Sequence, residues 1–338
     1  MRMTASGRVR CGILGWLILG FSLQGCVSLP STGAKKFAPS PLSRIDPEIL
    51  EKRYRSAQSR FVEVDRVRVH YRDEGAGPVI VLLHGSFGSL RTFDVMTHEL
   101  RKKFRIIRYD QPPAGLSGSV PDDFSVSMED FLGHFLDRLG VKEAVLLGTS
   151  SGGIIAYRYA ARYPERVRAL VLSNVPPSAP VDNAGAARRA PEEMQRKLMA
   201  CTAAGEPRSE ACWQVFLEFS FFRRSNLTPA LIKEYTDLNR KPDSQRFSSM
   251  TPIMRDDVAV KQFLGQIRAP TLLVWGMEDY VLPPSTMTTL ASRLSGTTVR
   301  QVSLPGVAHY PPLEAPLEVA SATEKFLAQL DASGITGP

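Results

Sequence analysis

Ser150 lies in Gly148-Thr149-Ser150-Ser151-Gly152-Gly153, directly after the apolar run Ala144-Val-Leu-Leu147 and at the start of a helical segment, Gly152 to Tyr163. A serine flanked by glycines two residues away on either side, between a buried strand and a helix, fits a sharp turn. Such a turn pushes its hydroxyl out at the end of the sheet, the nucleophile elbow. The chemistry this suits is acyl transfer, in which an activated hydroxyl attacks a carbonyl. Ser151 lacks the symmetric glycines and is the weaker nucleophile, but at the first turn of a helix its N–H is free to bind a developing oxyanion. A serine nucleophile needs a base and a group to orient that base. Of five histidines, His70 falls in an edge strand and His98 and His134 on helices, where structural roles are expected. His84 sits in His84-Gly85-Ser86-Phe87-Gly88 and His309 in Gly306-Val-Ala-His309-Tyr-Pro311-Pro-Leu-Glu314. No pairing of His, Cys, Asp or Glu has metal-ligand spacing and no phosphate-binding glycine loop occurs, so neither metal nor cofactor is expected.

Positioning these residues requires a particular scaffold. Phe61-Val-Glu-Val-Asp and Val67-Arg-Val-His-Tyr71 alternate apolar and polar residues, the period of a half-buried strand pair. By contrast, Val79 to Leu83, Ile106-Ile107, Ala144 to Leu147, Ala169 to Leu172 and Thr271 to Trp275 are continuous apolar runs, as parallel strands buried on both faces require. Helical patterns such as Met128 to Leu139 separate them. The expectation is an α/β fold: a mostly parallel sheet with helices on both faces and antiparallel strands at its N-terminal edge. The alternation stops between Val175 and Gln266, where helix-like segments run over Pro191 to Ala203, Ala211 to Phe222 and Pro229 to Asn239. This predicts a core of residues 56–177 and 266–332 with an inserted helical lid, 178–265. In the lid, Trp213, Phe216 and Leu217 share a helical face as packing residues, and Phe221 and Phe222 are candidates to roof an apolar acyl pocket. No repeat of 20 to 50 residues is found.

Four further motifs follow strand ends: His84 to Gly88, Asp110-Gln-Pro-Pro-Ala-Gly115-Leu-Ser117, Gly276-Met-Glu-Asp279-Tyr-Val-Leu-Pro283 and Gly306 to Glu314. With the elbow, they make residues 60–330 resemble the α/β-hydrolase superfamily, especially its epoxide-hydrolase-like and carboxylesterase-like branch. The resemblance implies Ser150 as nucleophile, Asp279 as acid and His309 as base, in the chain order this fold uses. Asp279 fits the family's Gly-x-x-Asp-x-x-x-Pro spacing, and Glu278 falls one residue short. It also implies the backbone N–H of Ser86 as the oxyanion donor beside Ser151, with Phe87 the alternative in the same loop, and His84 as a brace for that loop. Haloalkane dehalogenases and epoxide hydrolases of this branch place an aspartate at the elbow. A serine there favours a carboxylesterase acting on a small-molecule ester, with thioesters, amides or activated carbon–carbon bonds, or acyl transfer by the same triad, as alternatives. A non-catalytic binding protein on the same fold is a further reading, and one that usually loses a triad residue.

The first 25 residues carry Arg2, Arg8 and Arg10 and a 13-residue apolar run from Cys11, the length of a signal-peptide core and too short to span a bilayer. Leu23-Gln24-Gly25-Cys26 resembles the lipobox of bacterial lipoproteins. That likeness implies cleavage before Cys26, acylation of Cys26 and, with Val27 following, an outer-membrane destination facing the periplasm. An ordinary secretory signal or an uncleaved anchor is the alternative. Residues 26–55, with Pro30, Pro39, Pro41 and Pro47, read as a lipidated N-terminus and flexible tether. Cys201 and Cys212 remain in the body, as a disulfide worth about 3 kcal/mol in an oxidising compartment or as two buried thiols. The chain has 338 residues, 43% of them hydrophobic, which excludes general disorder. Its 42 Lys and Arg against 34 Asp and Glu fall to 39 against 34 once the leader is removed, and they are dispersed. No stripe for nucleic acid follows.

Overall fold

A computed structural model of the chain describes residues 42–177, 188–242 and 257–334. The expected signal peptide and Cys26 lie outside the described residues. Eight strands form one sheet in the order β1-β2-β4-β3-β5-β6-β7-β8: β1 Arg60–Val64, β2 Val67–Glu74, β3 Val79–Leu83, β4 Arg105–Tyr109, β5 Ala144–Thr149, β6 Val167–Ser173, β7 Thr271–Gly276 and β8 Val299–Leu304. The pairs β1/β2 and β2/β4 are antiparallel, and every other pair is parallel. This is the α/β-hydrolase architecture expected from the two kinds of hydrophobic period.

The continuous apolar strands have a direct cause. In β3, Val81 and Leu83 enter the core on one face of the sheet while Ile80 and Leu82 enter the core on the other, so each residue finds apolar cover. The first face is covered by α3 (Met128–Arg138) and α4 (Ser151–Arg162), the second by α2 (Asp94–Leu100) and the C-terminal helix Pro316–Ala332.

Between β6 and β7 the described residues hold four helices: α5 Glu192–Ala203, α6 Glu210–Ser220, α7 Pro229–Leu238 and α8 Asp257–Gln266. A disulfide joins Cys201 of α5 to Cys212 of α6 across 5.4 Å between Cα atoms. Trp213, Phe216 and Leu217 are buried and pack with Tyr235 of α7 and with Tyr310, as their shared helical face predicts. Phe221 joins them, but Phe222 is 56% exposed and roofs nothing. The reason is that α6 ends at Ser220 and the chain continues extended, so Phe222 leaves the buried face.

One boundary differs from the sequence expectation. Residues 47–54, assigned there to a flexible tether, form helix α1 (Pro47–Tyr54), with Leu50 fully buried. Pro47 is no breaker at the first helical position, where its missing N–H costs nothing, and Asp46 caps Glu48 N–H at 2.7 Å. The helix is held by α7: the Arg53 guanidinium and the Tyr54 hydroxyl donate to Asp237 at 2.5 and 2.7 Å, and Ile45 N–H donates to Arg240 C=O at 3.0 Å.

Candidate active site

The elbow geometry is as its glycines require. Ser150 has φ +50° and ψ −125°, a costly backbone for a non-glycine residue, on the order of 1–3 kcal/mol. A Cβ on Gly148 would stand 2.5 Å from Gly153 Cα, and one on Gly152 would stand 2.3 Å from the Leu83 carbonyl oxygen. Both obstacles are backbone and cannot rotate away. Gly148 therefore lets β5 turn tightly into α4, and Gly152 lets the start of α4 pass close to the end of β3. Main-chain bonds hold the turn, with Ser150 N–H on Ser173 C=O at 3.1 Å and Gly153 N–H on Ser150 C=O at 3.0 Å.

His309 and Asp279 arrive from different strand ends, after β8 and after β7. His309 Nε2 lies 3.1 Å from Ser150 Oγ, and His309 Nδ1 lies 2.7 Å from Asp279 Oδ2. A carboxylate can only accept, so Nδ1 carries the proton and Nε2 presents its lone pair to the serine hydroxyl. Asp279 is buried, whereas Glu278 is exposed. Of the sequence alternatives, Ser150 and Asp279 bond to the His309 imidazole, whereas Ser151 and Glu278 do not.

The loop after β3, the candidate oxyanion loop, lies against Ser150. A Cβ on Gly85 would stand 3.0 Å from Ser150 Cβ, and Ser86 Oγ is 3.0 Å from Ser151 Oγ. Gly88 N–H donates to Gly85 C=O at 3.1 Å, closing a tight turn in which Phe87 takes φ +64°. His84 braces it: its Nε2 accepts Gln111 N–H at 3.0 Å, which leaves Nδ1–H for the Gly85 carbonyl at 2.8 Å. Burial pushes the His84 imidazole below its ordinary pKa, consistent with this neutral form. His70 lies elsewhere, on Asp110. Burial alone would raise the Asp110 pKa, but His70, His84 and the Leu90 N–H hold that carboxyl at about 2.

Three residues with no sequence signal contact the site. Asn174, immediately after β6, donates from Nδ2 to Asp279 Oδ2 at 2.7 Å and accepts Gly276 N–H on Oδ1 at 2.9 Å. Asn239, after α7, donates to the Phe87 carbonyl at 3.0 Å. Ser220, at the end of α6, accepts His309 N–H at 3.0 Å. The inserted helices therefore touch both the histidine and the oxyanion loop. Among the described residues, no group of three His, Cys, Asp or Glu side chains is placed to hold a metal ion, and no helix is long and apolar enough to cross a membrane.

Comparison with known proteins agrees with this geometry at the level of the fold. A family model described as alpha/beta hydrolase fold matches residues 78–316. Haloalkane dehalogenase 2 of Mycobacterium tuberculosis is 26% identical over 295 residues, 80% of this chain and 95% of its own. A 2-hydroxy-6-oxononadienedioate/2-hydroxy-6-oxononatrienedioate hydrolase of Paraburkholderia phymatum is 30% identical over 242 residues, 68% of this chain and 82% of its own. Among solved structures, a membrane phospholipase A described as a bacterial virulence factor superposes with a TM-score of 0.65 at 25% identity, over 84% of this chain and 92% of that one.

Proposed function

The chain belongs to the alpha/beta hydrolase family, and on that premise we propose that it is a serine hydrolase working through an acyl-enzyme, with carboxylic esters as its substrate class. The carrying observation is the 3.1 Å contact between Ser150 Oγ and His309 Nε2, backed by Asp279. Ser150 Oγ attacks the ester carbonyl as its proton passes to His309 Nε2. Asp279 stabilises the imidazolium and fixes its tautomer. The oxyanion is received by the Ser151 N–H together with an N–H of the Ser86 and Phe87 turn, each donor worth about 3–4 kcal/mol of barrier. His309 then protonates the leaving alcohol. Water, activated by the same imidazole, hydrolyses the acyl-enzyme and restores the serine.

A dehalogenase activity, which the Mycobacterium relative's name would suggest, is disfavoured by Ser150. A serine attacking an alkyl halide would form an ether that water cannot cleave, whereas an ester intermediate can be hydrolysed. Similarity to a membrane phospholipase A supports ester cleavage. The hydrolase of Paraburkholderia phymatum supports a second reading, hydrolysis of a carbon–carbon bond by the same three residues. p-Nitrophenyl esters of graded acyl length, set beside a vinylogous 1,5-diketone, separate the two. The expected result is a kcat/KM at least about 100-fold higher on the best ester than on the diketone. Preference for the diketone would move the assignment to carbon–carbon hydrolysis.

The Cys26 lipobox and the leader before it support placing the protein in a bacterial envelope as a lipid-anchored enzyme, with the outer membrane facing the periplasm as its site. Two or more acyl chains anchor stably where one does not. Cells fed labelled palmitate are expected to yield labelled protein, and Cys26→Ser is expected to lose the label. Equal labelling in that variant would dismiss the anchor.

A further inference from the structure

Glu314 is a buried carboxylate five residues beyond His309, at the end of the short helix Pro311–Glu314. Its oxygens accept three backbone N–H groups from two separate stretches of chain. Oε2 accepts Ala308 N–H at 2.8 Å, on the peptide just before the histidine. Oε1 accepts Phe222 N–H at 2.8 Å and Arg223 N–H at 2.6 Å, just after α6. The nearby Arg223 guanidinium is directed elsewhere, to the Gly306 carbonyl and to Glu318 Oε1. Burial pushes the Glu314 pKa up and the three N–H donors pull it down. An ionisable group in such a place is costly compared with an apolar side chain. What an apolar side chain could not supply is a fixed distance between the histidine loop and the chain leaving the inserted helices.

We infer that Glu314 is a positioning residue for His309, a clasp through which the inserted segment sets the reach of the imidazole to Ser150. With the direct bond from His309 N–H to Ser220 C=O, it joins residues 308–309 to residues 220–223 at four points. The contact it protects is the single 3.1 Å one between His309 Nε2 and Ser150 Oγ, and a shift of about 1 Å in a reacting group can cost about 100-fold in rate. The inference rests on the Ser150 and His309 roles proposed above.

Glu314→Gln tests it. The amide keeps the shape, but its NH2 must face either Ala308 N–H or the pair at Phe222 and Arg223, placing donor against donor. Expected is a kcat about 10- to 100-fold lower with KM within about twofold of wild type, in protein whose circular dichroism shows it folded. Glu318→Gln removes the exposed ion pair with Arg223 but leaves the clasp, and is expected to retain wild-type kcat. A Glu314→Gln enzyme with wild-type kcat, or with a loss matching its unfolded fraction, overturns the positioning role. If the amide variant does not fold, Glu314→Asp replaces it, since it keeps the charge but withdraws the acceptors by one methylene. The same split between kcat and KM is expected, and wild-type kcat again overturns the role. Ser150→Ala is assayed alongside. Turnover surviving in that variant would sink the nucleophile assignment and this inference together, whereas a dead Ser150→Ala beside a fully active Glu314→Gln would sink the clasp alone.

Discussion

Ser150→Ala is expected to lower kcat on an ester substrate by about 10⁴- to 10⁶-fold and to abolish covalent labelling by a fluorophosphonate probe. The loss should be catalytic, not structural. The elbow is held by main-chain bonds from Ser150 N–H to Ser173 and from Gly153 N–H to Ser150, and alanine keeps both. Alanine meets the same positive φ as serine, so the backbone strain is little changed. What disappears is the hydroxyl that bonds His309 Nε2. Ser151 cannot stand in: its hydroxyl is bonded to Ser86 Oγ, and its position is the first of α4. Residual activity should be that of the oxyanion donors and substrate binding acting on water. Circular dichroism and a melting curve matching wild type would establish that the fold survives. Labelling that persists in the alanine protein would mean that another residue is the nucleophile.

Most of the core and the elbow were legible in the sequence because their causes are local. A parallel strand covered on both faces must be apolar at every position, so β3, β5, β6 and β7 read as runs. The elbow must have glycine at 148 and 152 because backbone stands where their Cβ atoms would be. The sequence allows Cys201 and Cys212 to be either a disulfide or two thiols, and the structure joins them. Asn174, Asn239 and Glu314 were not legible in these roles, since each matters through a partner 102, 152 or 92 positions away. An asparagine after an apolar strand looks like any polar loop residue until the loop it faces is known. Helix α1 was missed for a related reason. Its local start signal, Asp46 before Pro47, is brief, and the anchor that holds it against the body, Asp237 of α7, is announced by no local pattern. Local period reveals strands and turns, and long-range polar bonds reveal themselves only in three dimensions.

Those long-range bonds also make the acid position unforgiving. Asp279→Asn is expected to cost about 10⁴-fold in kcat, nearly as much as losing the base, although it changes only one atom. All the hydrogen bonds recorded at Asp279 point inward. Oδ2 accepts from His309 Nδ1 and from Asn174 Nδ2, each at 2.7 Å, and Oδ1 accepts from Val281 N–H at 2.7 Å. An amide must put its NH2 in one of these places. Placed at Oδ2, it faces two donors, and Asn174 cannot turn its own carbonyl toward it without abandoning Gly276 N–H. Placed at Oδ1, it faces the Val281 N–H, which belongs to the backbone and cannot turn. The least costly escape from the first clash is for His309 to move its proton to Nε2 and accept on Nδ1. In that tautomer an N–H points at Ser150 Oγ and no lone pair remains to take the serine proton. The expected signature is a collapsed kcat with KM near wild type and little loss of melting temperature, because the fold keeps its shape while the imidazole is locked in the wrong form. A variant retaining more than about a tenth of wild-type kcat would show that Asp279 does not set the tautomer, and that the acid of this site must be sought elsewhere.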